Sequence, residues 1–281
     1  MSADRVRFGR LHLARVSPKE ARAWTEAAAT GERASVVVTS NIHHLRLAER
    51  DPVFRDVLDR SDLNVVDGWP IVMGLRLVGT PVLGRVAGID LVDDILSTSQ
   101  RLRVAILGGP PGAAEALAAR VAPRHDVVLV EPLQRGSWDT PAGRAAVRAA
   151  LVSARPNLVL IGIGPPRQEL LADELRDAVA GPIVCCGAAI EVLAGLRPRA
   201  PRWVQRSGLE WLFRLALEPR RLAGRYAAGA FVFTRVTFRE LGARLRGRSG
   251  SGGSAGPQAQ PRSRASAGRQ AQPTSRAGGE R

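Results

Sequence analysis

An α/β fold with a mostly parallel sheet and helices on both faces is predicted by three observations. From Arg103 onward, short apolar runs alternate with helical stretches of about ten to fifteen residues, the pattern of strand-helix-strand crossovers. The apolar runs end in glycine or in polar side chains, as strand exits around a ligand crevice do. Near Gly195 this rhythm stops, and Arg197 begins a segment of different character. The prediction is a Rossmann-like α/β/α sandwich over residues 1–196, a helical basic appendage over 197–248 and a disordered tail over 249–281.

Arg5 to Arg15 alternates apolar and polar residues, which suggests an edge strand or hairpin. Ser17-Pro18 opens a helix, with Ser17 as cap and Pro18 in the first turn. Val36 to Val38 form a β-branched strand that ends in Thr39-Ser40-Asn41, and one helix is expected from about Ile42 to Arg60. Leu63, Val65 and Val66 read as a short buried strand with Asp67 at its exit and Gly68 at the turn. Helices from about Trp69 and from near Asp90 follow. The regular region then gives strands at VAILG, VVLV, NLVLIGIG and PIVCC, each followed by a helix or tight turn. In the appendage, Trp203, Leu209, Trp211, Leu212 and Leu215 recur at helical spacing, and a further helix carries Phe231, Phe238, Leu241 and Leu245. Arg206, Glu210 and Arg214 lie four apart, as do Arg221 and Arg225, so each set is expected on one helix face. Beyond Arg248 almost no large apolar side chain remains, too little to drive folding.

The chain of 281 residues suffices for one α/β domain with an appendage. Its net charge of +15 is unevenly placed. Basic and acidic residues nearly balance through Leu196, whereas 197–248 holds 13 arginines against Glu210, Glu218 and Glu240. An anionic partner is therefore expected at that end: phosphate, membrane surface or nucleic acid. Cys185 and Cys186 are the only cysteines and lack any CxxC spacing, as buried thiols in a reducing compartment would. No apolar run reaches the ~18 residues of a spanning helix, so the expected location is cytoplasmic, peripheral on the inner face of the cell membrane.

Asp67 at a strand exit suits ligand binding, helix capping or general-base work. Gly108 and Gly109 in GGPPG present a helix N-terminus that suits a diphosphate or a plain turn. Gly162 and Gly164 in GIGPPRQE form a second glycine-rich exit, with Arg167 and Gln168 opening the next helix. Two such exits in one sheet favour a nucleotide crevice. Glu191 follows the turn after PIVCC, placed to bond a ligand hydroxyl or to cap a helix. Arg214, Arg221 and Arg225 suit a solvated face, a phosphate clamp or attraction to anionic lipid. His12, His43, His44 and His125 show no ligand spacing, so no metal and no cofactor is expected.

Several stretches together resemble the WecG/TagA/CpsF glycosyltransferases: TSNIHHL at 39–45, DLNVVDGWPIV at 62–72, GRVAGIDL at 84–91, GGPPG at 108–112 and GIGPPRQE at 162–169. The most specific is CGAAIEVLAGLRPRAPRWVQRSGLEWLFRLALEPRRLAGRY at 186–226, and the resemblance spans about residues 5–240. It implies transfer of an N-acetylmannosamine-type or uronic sugar from a UDP-sugar donor to an undecaprenyl-diphosphate-linked acceptor, without metal, in cell-surface polysaccharide synthesis. By the same resemblance Asp67 is the base, Thr39 and Asn41 line the acceptor pocket, and Arg85 sits beside the donor. Gln168 contacts the nucleotide-sugar region, and Arg214, Arg221 and Arg225 face diphosphate. The family's usual Phe-Asp pair is Ile190-Glu191 here. An anionic membrane surface is the expected partner, a homo-oligomer is left open and no nucleic acid is expected. Two other classes compete: a nucleic-acid-binding protein using the basic end, and an NAD(P)-dependent oxidoreductase. For the latter, GGPPG departs from the dinucleotide fingerprint.

Overall fold

The computed structural model describes residues 4–80, 82–133 and 138–250; the side chains of Arg206, Arg221 and residues 247–250 lie outside that description. The chain opens with β1 (Arg5–Phe8) and β2 (Leu11–Ala14), an antiparallel hairpin in which Val6 faces Leu13. Next come α1 (Pro18–Ala28), β3 (Ala34–Ser40), α2 (Ile42–Ala48), α3 (Pro52–Arg60) and β4 (Leu63–Val66). Then follow α4 (Trp69–Leu77), α5 (Gly88–Leu96), β5 (Arg103–Gly108), α6 (Ala113–Val121), β6 (Asp126–Glu131), α7 (Pro141–Ala154) and β7 (Leu158–Gly162). The regular region closes with α8 (Arg167–Glu174), a 3₁₀ turn (Arg176–Ala178), β8 (Gly181–Cys185) and α9 (Ala189–Leu193).

Six strands form one parallel sheet in the order β4-β3-β8-β7-β5-β6. Both faces are covered, and alternate residues of one strand therefore enter different cores. Val36 and Val38 pack on the side of α2, α3, α7 and α8, whereas Val37 packs on the side of α1, α5, α6 and α9. Val159 and Ile161 divide from Leu158 and Leu160 in the same way. The α/β expectation with helices on both faces therefore holds.

Two local expectations are corrected. The single helix expected from Ile42 to Arg60 is two, because Pro52 has no N–H to continue α2 and the Asp51 side chain caps α3 through the Phe54 N–H at 3.1 Å. Arg206 does not share a helix with Glu210 and Arg214. It ends α10 (Arg202–Arg206), while the other two belong to α11 (Glu210–Leu217). Gly208 turns the chain between them against the face of Trp69, and Trp69 Nε1 donates to the Gln205 carbonyl at 3.3 Å.

The final helix, α12 (Pro219–Gly250), lies along α2 and α4. Val232 and Val236 are buried in the same cluster as Phe8, Leu45 and Leu75. Phe233 stacks obliquely on Phe8 at 5.9 Å between ring centroids, and both rings lie against Gly74 of α4, where a Cβ would collide with each. At the rim, Arg239 makes two 3.0 Å hydrogen bonds to the buried Glu49 carboxylate, and Arg235 lies 3.6 Å from it. Burial alone would raise the Glu49 carboxyl; the Arg239 hydrogen bonds outweigh it and hold the group below its usual value. A depressed carboxylate stabilises the fold above the ordinary carboxylate range and loses that contribution as pH falls through its lowered value. Acid should therefore loosen α12 as pH falls below the ordinary carboxylate range. Amide exchange along α12 is expected to rise on acidification in the wild type, and to lose that pH dependence in Glu49→Gln, which is destabilised at neutral pH by about 1–3 kcal/mol. Residues 251–281, most of the expected tail, lie outside the described residues; 249 and 250 end α12.

Candidate functional site

The C-terminal ends of β3, β4, β5, β7 and β8 open onto one cavity of about 500 Å³. In this strand order the chain leaves the β3-β4 edge and re-enters at β5 on the far side, a topological switch that leaves the strand exits facing a crevice. The appendage roofs this crevice, since Trp211 and Arg214 of α11 and Leu222, Arg225 and Tyr226 of α12 line it beside the core residues.

Asp67 follows β4 directly, its N–H donating to the Ser40 carbonyl at 2.8 Å. Its side chain is one quarter exposed. Burial raises the Asp67 carboxyl above its ordinary value, with Glu210 adding to the rise; Arg85, Arg214 and the Gly88 N–H oppose it without cancelling it. A carboxylate of raised pKa is the better proton acceptor near neutrality. Arg85 Nη1 stands 3.9 Å from Asp67 Oδ1 and only 3.0 Å from Glu210 Oε2. Glu210 Oε1 in turn receives Arg214 Nη2 at 3.1 Å.

The other residues singled out by sequence take distinct positions. Thr39 lines the cavity and its hydroxyl donates to the Cys185 carbonyl at 3.4 Å. Asn41 also lines it while capping α2, its side chain accepting the His43 N–H at 2.9 Å. Gln168 is buried, and its amide oxygen accepts from Gly164 N–H at 3.1 Å and Gly187 N–H at 3.2 Å, so it clasps the exits of β7 and β8. Its amide nitrogen donates to Glu169 Oε1 at 2.6 Å, and the same oxygen meets His44 Nε2 at 3.0 Å. Gly109, Gly162 and Gly164 line the cavity. Gly108 pairs in register with Gly162 and is not part of the wall. Gly109 has φ +101°, open to glycine, while its N–H donates to the Gly162 carbonyl at 3.1 Å, drawing the two loops together.

Glu191 lines the cavity with its carboxylate bound by Arg197 at 2.6 Å. The same Arg197 guanidinium reaches Glu218 at the start of α12, so Glu191, Arg197 and Glu218 link the core to the appendage. Arg225 lies on the cavity wall with its guanidinium 5.9 Å from the Tyr226 ring centroid. The Arg221 side chain lies outside the described residues.

Other groups in or near the cavity have their protonation set by burial. His43, beside His44, Arg225 and Arg46, is pushed down to about 4 and is neutral at physiological pH. The Cys186 thiol is pushed up to about 12 and Cys185 is raised as well, so both stay protonated. The positive charge of the crevice is thus carried by arginine. Among the described residues no group of three or more His, Cys, Asp or Glu side chains is arranged to hold a metal ion.

Sequence spacing put Glu210 and Arg214 on one face but gave no sign that the face turns into the crevice. Arg197 was equally silent in sequence, as was Trp138, whose ring lies 5.8 Å from the Arg167 guanidinium. The family model described as "Glycosyl transferase WecG/TagA/CpsF family" matches residues 6–247.

Proposed function

We propose a function from the premise that the chain belongs to the WecG/TagA/CpsF family and is a glycosyltransferase of cell-surface polysaccharide synthesis. The reaction is an inverting transfer of N-acetylmannosamine, its uronic acid or a related hexose from a UDP-sugar to an undecaprenyl-diphosphate-linked saccharide. One observation carries this reading: a carboxylate of raised basicity, Asp67, shares a cavity with Arg85 of the core and with Arg214 and Arg225 of the appendage. Inversion requires a base to take the acceptor hydroxyl's proton and positive groups to hold the departing diphosphate. Asp67 takes the proton. The guanidinium groups hold the diphosphate, since their planar donors match phosphate oxygens two at a time. Arg221 is included in this proposal from the family resemblance alone. Thr39 and Asn41 line the acceptor side, and the loops containing Gly109, Gly162 and Gly164 the nucleotide side. Gln168 and Glu191 shape the wall through their partners.

The lipid-linked acceptor requires access to a membrane surface. No helix among the described residues is long and apolar enough to cross a membrane. Trp203, Phe231 and Phe238 are about 70% exposed on α10 and α12, among the arginines of the appendage. Aromatic side chains interleaved with arginine suit peripheral attachment to anionic lipid.

The test is incubation with a panel of UDP-sugars and a synthetic lipid-diphosphate-linked sugar, with products read by mass. The expected product is the acceptor extended by one sugar. Release of free sugar alone, or no reaction with any donor, would count against transfer. In parallel, UDP at about one hundred times its dissociation constant should stabilise the protein by about 2.7 kcal/mol in thermal melting. NAD should not; stabilisation by NAD in place of UDP would favour the oxidoreductase class.

A further inference from the structure

Asp67, Arg85, Glu210 and Arg214 alternate in charge along one wall of the cavity, and the mechanism above uses three of them. Glu210 is the fourth. It is buried, 8% exposed, and supplied by α11 of the appendage, whereas Asp67 and Arg85 belong to the core. Burial alone would raise its carboxyl, but Arg214 and Arg85, with a smaller contribution from Arg199, bring it below the ordinary value. It is ionised at neutral pH. An ionised carboxylate so close to incoming diphosphate repels it, so its presence in a phosphate-binding crevice calls for a counterbalancing role.

The distances give one. Arg85 Nη1 is within hydrogen-bond reach of Glu210 Oε2 at 3.0 Å and beyond reach of Asp67 Oδ1 at 3.9 Å. The two carboxylates compete for the same nitrogen, and Glu210 holds it. Arg214, the other cation acting on Asp67, is held by the second Glu210 oxygen at 3.1 Å. Without Glu210, Arg85 has one nearby carboxylate left and would close onto it. A guanidinium hydrogen-bonded to Asp67 would occupy the lone pairs that must accept the substrate proton.

We propose that Glu210 is a positioning residue that restrains Arg85 and Arg214, keeping the Asp67 carboxylate clear of both guanidinium groups and available to the acceptor hydroxyl. The inference rests on the reading of Asp67 as the base. The appendage then contributes more than cations to the crevice: it also brings the anion that frees the base. Each guanidinium has five N–H donors, so both arginines can keep Glu210 and still turn donors toward phosphate.

The groups facing Asp67 are Arg85 from the segment before α5, Arg214 and Glu210 from α11, and the Gly88 N–H. The test is the pH dependence of kcat/KM for sugar transfer in the full chain. In Glu210→Gln, Arg85 moves onto Asp67, and the acid limb is expected to shift down by roughly one pH unit. Turnover above the limb should fall by roughly tenfold, with UDP affinity at least as tight as in the wild type. Glu210→Asp keeps the charge but is one methylene shorter and holds Arg85 less well, so its limb and its rate should lie between those of the wild type and Glu210→Gln. Because the Glu210 charge also raises the Asp67 carboxyl directly, Glu210→Gln should lower the limb in both backgrounds, but by less in Arg85→Gln, where the restrained group is gone; an equal shift in both would overturn the proposal. An unmoved limb in a folded Glu210→Gln protein would overturn the proposal, leaving Glu210 a structural tie. If Glu210→Gln does not fold, the Glu210→Asp profile decides: a limb displaced downward together with a lower rate supports the proposal, and an unchanged limb overturns it. Failure of the base assignment is read separately, as wild-type turnover in Asp67→Asn.

Discussion

Asp67→Asn lowers turnover by roughly 10²- to 10⁴-fold, the range for losing a positioned general base. The substitution keeps the shape of the side chain, and its remaining carbonyl oxygen can still accept the Gly88 N–H, so melting should change little. The wild type should show an acid limb displaced upward from an ordinary aspartate, because burial raises the Asp67 carboxyl in the folded protein. As pH falls through that raised value the carboxylate takes up a proton and ceases to act as a base. The residual activity of Asp67→Asn should lack this limb. Steady-state rates from pH 4 to 9 on both proteins, with UDP affinity measured by titration, check all of this. Near wild-type turnover in the asparagine variant would remove Asp67 from the chemistry.

Arg214→Ala should cost roughly 10²- to 10³-fold in turnover, comparable to losing one preorganised donor to a developing negative charge. Its guanidinium lines the cavity from α11 and is held by Glu210 at 3.1 Å, so it is fixed before substrate arrives. Preorganisation separates this prediction from simple charge attraction. Arg214→Lys keeps the charge but loses the planar pair of donors, and should recover only part of the rate. Full recovery by lysine would show that net charge suffices, and full activity in alanine would show that the diphosphate is held elsewhere. Raising ionic strength should weaken association with anionic vesicles far more than it weakens turnover on a soluble acceptor analogue, because exposed charges are screened more than buried ones.

The sheet was legible because its signal is local. A β-branched run such as Val36 to Val38 with polar residues at its exit specifies a buried parallel strand and the mouth of a crevice at once. Asp67 could be singled out for the same reason: it is the one charged residue at the exit of an apolar run, followed by glycine. What could not be read depends on docking. Whether Glu210 faces solvent or the crevice is decided by the turn at Gly208 and by how α11 settles over Trp69, and neither has a periodicity in the chain. Glu191 could be placed at the crevice from sequence, but its partner Arg197 could not, since it lies beyond the following turn, where spacing gives no hint of a return. The break between α2 and α3 was present in sequence as Asp51-Pro52, and the helical pattern running across it concealed the stop. The clasp made by Gln168 reaches Gly187, nineteen residues on, and is visible only once β7 and β8 lie side by side.

The contact at Gly74, where Phe8 and Phe233 meet over a position with no side chain, bears on how this enzyme can be re-engineered. A graft that exchanges the C-terminal helices for those of another transferase must match three positions far apart in sequence: the hairpin aromatic, the bare helix surface and the incoming ring. Swapping the roof alone leaves either a hole or a collision beneath it, so hybrids should succeed only when all three are transplanted as a set.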